Sequence, residues 1–119
     1  MMCKLTGGER LWVWMRRVGM RTEDAARYWG VREEVVTDWL KDRAPLPVPL
    51  PASVRTLRDG ERLALWRRRE GLTLREAAKR MGVSHVTLIR RERGHGDVGA
   101  LLRKIEEEEG TRRERDGKV

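Results

Sequence analysis

Apolar side chains recur at helical spacing in residues 73–94, which read TLREAAKRMGVSHVTLIRRERG. Four of them lie three or four positions apart and predict a helix with one buried stripe: Leu74, Ala77, Ala78 and Met81. Thr73 is a favourable N-cap, and Glu76 three residues later completes a capping box. Gly82 predicts the end of this helix, because glycine accepts the left-handed conformation that a sharp turn needs.

A second short helix is predicted directly after this turn. Ser84 is its N-cap, Val83 is expected to fill the corner between the helices, and Leu88 is expected to face inward. The small pair Ala77 and Ala78 suits two helices that cross steeply, because little side-chain bulk fits at such a contact. The stretch therefore predicts a helix-turn-helix whose second helix is suited to a DNA groove.

Residues 61–94 resemble the phage repressor and Cro-type helix-turn-helix family, in the pattern LxxxREGLTxxEAAxxxGVSxxTLxRxERG. The resemblance implies a DNA-binding domain in which the first residues after the Ser84 cap touch bases. It departs from the family at Arg91, where an apolar residue usually packs inward, while the neighbouring Ile89 is apolar. Either the third helix is rotated, or the aliphatic stem of Arg91 covers the core while its charge reaches water.

The chain also matches itself at an offset of 52 residues. We call two residues that stand 52 positions apart mates of each other. Twelve of the 25 positions from residue 7 to residue 31 are identical to their mates. An internal duplication is therefore predicted, with helices at 9–17, 23–29 and 32–40 in the first copy and Thr22 as an N-cap. The fold class predicted is all-α, with two tandem helix-turn-helix domains.

The predicted domains are residues 1–58, residues 59–109 and a disordered tail, 110–119. All four prolines lie in 45–51 and predict a semi-rigid spacer, after which a helix is expected at 53–58. Asp97 is the predicted N-cap of a closing helix that runs to about Glu108. The tail beyond it has no apolar periodicity.

Charge differs between the two copies. The chain has a net charge of +8 and a pI near 10.7, which indicates a polyanionic partner and favours nucleic acid over a membrane surface. Residues 1–44 hold nine basic and seven acidic groups, a net of +2, whereas residues 59–96 hold ten and five, a net of +5. The second copy is therefore expected to be the better DNA reader.

The first copy carries Glu33, Glu34 and Asp38 where the second has His85, Val86 and Arg90. Three carboxylates near phosphates mostly repel DNA. This copy is therefore expected to be degenerate, dimerising or partner-binding, with these three residues and Trp12 as the candidate partner-binding set. Trp12, whose mate is Ala64, is expected to be exposed, which is typical of a protein interface. Trp14, and Trp66, which is the mate of Trp14, are expected in the core.

The candidate DNA-binding residues lie on the two predicted helices and their caps. Arg90 is suited to guanine O6 and N7 or to a phosphate, and Arg75 and Lys79 share a face and suit phosphates. A hydroxyl group at a helix N-terminus is able to bind a phosphate in addition to capping the helix. The full set is Thr73, Arg75, Lys79, Ser84, His85, Val86, Thr87, Arg90 and Arg93. Arg67, Arg68 and Arg69 are equally well explained as a solvated helix face.

Other functions have little support in the residues. Cys3, His85 and His95 lack metal-ligand spacing, so no metal and no cofactor are expected. No nucleophile triad, carboxylate pair or phosphate loop is present, so an enzyme is not expected. There is no signal peptide and no long apolar run, and a cytoplasmic, nucleoid-associated protein without membrane contact is expected.

The function predicted is sequence-specific binding of double-stranded DNA, in a transcriptional regulator (repressor) of phage or mobile-element type that is able to form a homodimer. The alternative is a DNA-binding adaptor or component of a recombination, replication or phage-packaging complex. In that case the N-terminal domain would recruit a protein partner. RNA binding is the least favoured, because a deep A-form groove does not admit this helix.

Overall fold

The computed structural model describes residues 5–47, 50, 54 and 56–117, with side chains through residue 110. These residues form seven α-helices and no strand, which confirms the all-α class. The helices are α1 Gly7–Val18, α2 Thr22–Trp29, α3 Glu33–Leu40, α4 Asp59–Arg69, α5 Leu74–Met81, α6 His85–Glu92 and α7 Val98–Gly117. The chain divides into two compact units, one up to Thr56 and one from Leu57 onward.

In the first unit, α3 packs against both α1 and α2. Helix α1 begins with a capping box, in which Glu9 N–H donates to Thr6 Oγ1 at 3.1 Å and Thr6 N–H donates to Glu9 Oε1 at 2.9 Å. Helix α2 begins one residue earlier than predicted, so Thr22 is its first helical residue rather than its cap. The cause is local: Arg21 N–H donates to Asp24 Oδ2 at 3.0 Å, which fixes Arg21 at the cap position.

The core of the first unit is rich in aromatic rings. Trp14 is buried, as predicted, with its ring centroid 5.6 Å from that of Trp29, which lies 5.9 Å from Trp39. Trp12 is half-buried rather than exposed, and the guanidinium carbon of Arg16 lies 5.7 Å from its ring centroid. The exposed aromatic residue of this unit is Tyr28, with 58% of its surface accessible.

The segment that leads from α3 to α4 differs from the prediction at its end. Residues 54 and 56–58 are not helical, although a helix was expected over 53–58, and the remaining residues of that helix lie outside the described residues. Arg17 Nη2 donates to the Thr56 carbonyl at 2.7 Å. Val54 is buried. Residues 48, 49 and 51 of the predicted proline spacer also lie outside the described residues.

The second unit is held by α4, which contacts both α6 and α7, while α5 packs on α6. Its buried core draws on all four helices: Leu63, Trp66, Ala77, Ala78, Met81, Leu88, Val98, Leu101 and Ile105. Trp66 is thus in the core, as predicted. Lys104 Nζ donates to the Met81 carbonyl at 2.9 Å, and Arg80 pairs with Glu108, so polar contacts also fix α7 to the rest of the unit.

One feature of the first helix, a glycine in its first turn that lies against the third helix, recurs in both units. Gly8 lies against the end of α3, and a Cβ there would overlap the Leu40 carbonyl. Gly60 lies against the end of α6 in the same way, where a Cβ would overlap the Glu92 carbonyl. At each site the absence of a side chain lets the first helix of the unit approach the third at backbone distance.

Helix α7 continues to Gly117, beyond the predicted end near Glu108. Asp97 caps it, as predicted, by accepting a hydrogen bond from Ala100 N–H at 3.1 Å. The predicted disordered tail at 110–119 is therefore helical through Gly117. Glutamate and arginine are favourable in helices, and the sequence places them four residues apart here, which supports a helix without apolar periodicity.

Candidate nucleic-acid interface

The helix-turn-helix geometry begins at the cap of α5. Glu76 N–H donates to Thr73 Oγ1 at 3.1 Å, and Thr73 N–H donates to Glu76 Oε1 at 3.0 Å, so the predicted capping box is confirmed. That backbone N–H, and secondarily the Thr73 hydroxyl, lowers the pKa of Glu76 below its ordinary value of 4.5. Gly82 adopts a φ of 72° and ends the helix, again as predicted.

The outward face of α5 carries two cations. Arg75 and Lys79 are exposed, and because they are four residues apart they lie on one side of the helix. Ala77 and Ala78 point the other way and are buried against α6. The arrangement leaves both positive side chains available to a polyanion that lies along this face.

Helix α6 has a buried side and an exposed side that the sequence spacing separates cleanly. Leu88 is fully buried and Glu92 is 6% exposed. Val86, Arg90 and Arg93 lie at i, i+4 and i+7 on the opposite side, and all three are exposed. One apolar side chain and two guanidiniums therefore form the outward stripe of this helix.

Hydroxyl groups at the start of α6 are engaged with each other. Thr87 N–H donates to Ser84 Oγ at 3.1 Å, which confirms Ser84 as the N-cap. Ser84 Oγ in turn donates to Thr87 Oγ1 at 2.9 Å. Ser84 is exposed and Thr87 is half-buried, while His85 between them is exposed.

The buried end of α6 is anchored by an ion pair that the sequence interpretation missed. Arg67 Nε donates to Glu92 Oε2 at 2.6 Å and Arg67 Nη2 donates to Glu92 Oε1 at 3.2 Å. Arg67 Nη1 also donates to the Leu72 carbonyl at 3.3 Å. The Arg67 side chain is only 23% exposed, so the solvated-face interpretation is wrong for this arginine.

The offset of 52 marks these two positions without pairing them. The residues that stand 52 positions before Arg67 and Glu92 are Met15 and Leu40. Both charged positions of the second unit are thus apolar in the first unit.

Arg91 resolves the two alternatives left by its departure from the family pattern. Leu88 remains inward, so the helix is not rotated to bury Ile89 in its place, and Ile89 is half-buried. Arg91 is half-buried and its Nη1 donates to the His95 carbonyl at 3.0 Å. A Cβ at Gly96 would overlap its guanidinium, so Arg91 folds over the turn that follows α6 rather than toward the outward stripe.

The corresponding surface of the first unit has the opposite charge. Glu33 and Glu34 are exposed in the first turn of α3, and Asp38 is half-buried with its Oδ1 3.7 Å from Arg43 Nη1. Among the described residues, no three or more His, Cys, Asp or Glu side chains are grouped as a metal site would require. Within the same part of the chain, no helix combines the length and the apolar character needed to cross a bilayer.

The arrangement of α5, the turn at Gly82 and α6 defines a helix-turn-helix domain. Residues 63–101 match the family model described as helix-turn-helix, of the Cro/C1 type. The match lies wholly within the second unit and supports a DNA-binding role. No curated protein and no solved structure matches the chain.

Proposed function

We propose that the protein is a sequence-specific double-stranded DNA-binding regulator of transcription, a repressor of phage or mobile-element type. The observation that carries this proposal is the outward stripe of α6, in which Val86, Arg90 and Arg93 are exposed on a domain that matches the helix-turn-helix model. An α-helix fits the major groove of B-DNA, where each base pair presents a distinct pattern. Binding at a promoter would then occlude it.

The contacts divide into positioning and reading groups. Arg75 and Lys79 on α5 bind phosphates and fix the orientation of the domain, together with the N-termini at Thr73 and Ser84. His85 contacts bases or the edge of the groove, with Thr87 beside it. Arg90 donates two hydrogen bonds to guanine O6 and N7 or contacts a phosphate. Arg93 binds the sugar-phosphate backbone of the DNA.

The first unit is proposed to be a diverged copy of the second. The identities at offset 52 support this, as do three further correspondences: both first-turn glycines approach a third helix, both α2 and α5 end at a glycine with positive φ, and Asp42 and Gly94, which are mates, both have positive φ. Its exposed carboxylates make the first unit a poor DNA reader. It would instead form a homodimer or hold a protein partner.

The alternative function, an adaptor within a recombination, replication or packaging complex, is favoured by one observation. Glu33 and Glu34 place two exposed carboxylates where His85 and Val86 stand in the second unit. Replacing Glu33, Glu34 and Asp38 by lysine distinguishes the two. An adaptor loses regulation while it still binds DNA, whereas a regulator with a merely diverged domain gains DNA affinity and keeps regulation.

Selection from a random DNA pool at a fixed salt concentration tests the main proposal. One or two enriched half-sites are expected. On the selected site, Arg90→Ala is expected to weaken binding by about 1–3 kcal/mol and to relax one base preference. Arg103→Ala, at an exposed arginine of α7, is the matched control and is expected to bind like the wild type. Failure to enrich any sequence would refute sequence-specific binding.

A further inference from the structure

An exposed apolar side chain lies at the start of α6, at one end of an outward stripe whose other two members are arginines. Among the described residues, the large hydrophobic side chains that are exposed are Val18, Tyr28 and Val86, and Val86 alone of them belongs to the second unit. Its neighbours on the outward stripe are Arg90 and Arg93. A single exposed valine is ordinary in itself, so its meaning depends on what the surrounding groups leave for it to contact.

The Ser84 hydroxyl, next to Val86 in the first turn, is committed to the helix. Ser84 Oγ accepts from Thr87 N–H and donates to Thr87 Oγ1. Thr87 is half-buried and Leu88 is fully buried. The exposed residues of the first turn of α6 are therefore His85 and Val86, of which Val86 presents only methyl groups.

We propose that Val86 determines specificity for thymine, by packing its methyl groups against the C5-methyl of a thymine in the major groove. This inference rests on the proposed function. The C5-methyl is the apolar group that distinguishes thymine in the major groove, whereas cytosine shows an amino donor and purines show N7 acceptors. A side chain with no donor or acceptor favours thymine through that methyl contact. It disfavours the other bases because it would cover a donor or acceptor on the base edge without making a hydrogen bond to it.

The first unit shows how a change at this position would alter recognition. Glu34, the mate of Val86, is exposed and presents a carboxylate. A carboxylate accepts a hydrogen bond from cytosine N4 and repels phosphate, so it cannot make the contact proposed for Val86. Thymine preference is thus assigned to the second unit alone.

The size of the effect follows from the area of one methyl group. Burying a methylene-sized apolar group changes an equilibrium constant by roughly fourfold. Replacing one contacted thymine by deoxyuridine removes that methyl and leaves the Watson–Crick pairing and the other groove groups unchanged. A roughly fourfold loss of affinity is therefore expected at the contacted thymine.

The experiment replaces each thymine of the selected site by deoxyuridine, one at a time, and measures the affinity of three proteins. The wild type is expected to lose affinity about fourfold at one thymine of each half-site. Val86→Ala is expected to bind more weakly and to be indifferent to deoxyuridine there. Val18→Ala, the same change at an exposed valine of α1, is expected to retain the full deoxyuridine effect.

Three results would overturn the inference while leaving sequence-specific binding intact. They are a wild type that is indifferent to deoxyuridine everywhere, a Val86→Ala variant that keeps the deoxyuridine effect, and a selected half-site without thymine. Failure of the proposed function itself has a different signature, in which no sequence is enriched and Arg90→Ala changes nothing. Because Val86 is exposed, the alanine variant is expected to keep the wild-type melting temperature, which is checked alongside.

Discussion

Replacing Arg67 by methionine removes a charged partner of a carboxylate that is almost wholly buried. The Glu92 side chain is 5% exposed and receives two hydrogen bonds from Arg67, at 2.6 and 3.2 Å. Breaking a buried ion pair by removing one partner costs about 3–5 kcal/mol. Because 23% of the Arg67 side-chain surface is accessible to solvent, screening reduces the expected cost to about 2–4 kcal/mol.

The first unit indicates which second substitution is expected to restore the stability lost in Arg67→Met. Met15 and Leu40 occupy the mate positions in the first unit, and Met15 is buried there. The double variant Arg67→Met with Glu92→Leu therefore places at these positions the two apolar side chains that stand 52 residues earlier in the first unit. Replacing a buried ion pair by apolar residues of similar volume is often neutral or stabilising, so the double variant is expected to recover most of the loss.

Urea unfolding followed by NMR signals of α4, α5 and α6 measures this, because the chain divides into two compact units and a whole-chain signal would mix their contributions. The single variant is expected to lose about 2–4 kcal/mol, equivalent to a fall in Tm of at least about 8 °C for a domain of this size. The reasoning is refuted if the double variant is as unstable as Arg67→Met alone, since the two side chains would then not be coupled.

Four further predictions concern the second unit. Gly60→Ala is expected to destabilise it strongly in thermal melts, because the new Cβ would overlap the Glu92 carbonyl; wild-type stability would show that the two helices can separate without cost. Thr73→Ala is expected to cost about 1 kcal/mol through the lost cap. The lowered pKa of Glu76 contributes stability that is present above its unfolded value, near 4.5, and is lost as the pH falls through the lower folded pKa. Glu76→Gln should remove that part of the pH dependence of Tm, and an unchanged profile would contradict the role of the cap. Arg75→Ala is expected to weaken binding to all DNA sequences and to lower the salt slope by about one unit; loss confined to one sequence would make Arg75 a base contact instead.

Local chemistry in the sequence was sufficient to predict the helix-turn-helix of the second unit. Thr73, Gly82 and Ser84 act within one turn of where they stand, through caps and a left-handed residue, so their effect does not depend on the rest of the fold. The same spacing separated Leu88 from the outward residues of α6. The roles of the outward side chains on DNA remain predictions.

The sequence interpretation failed at two places along the backbone. The helix expected at 53–58 is absent at residues 54 and 56–58, where Arg17 Nη2 donates to the Thr56 carbonyl. At the start of α2, Asp24 bonded to Arg21 N–H displaced Thr22 from the cap.

The sequence by itself therefore determined where α5 and α6 begin and which side of each is apolar, because hydrogen bonds and periodicity within a few residues decide both. Only the tertiary structure decided that Arg67 turns inward to Glu92 and that Arg91 folds over the His95 carbonyl. An arginine on a helix surface carries the same local signal whether it faces water or a buried carboxylate. Its partner is known only once packing has brought together residues that are 25 positions apart.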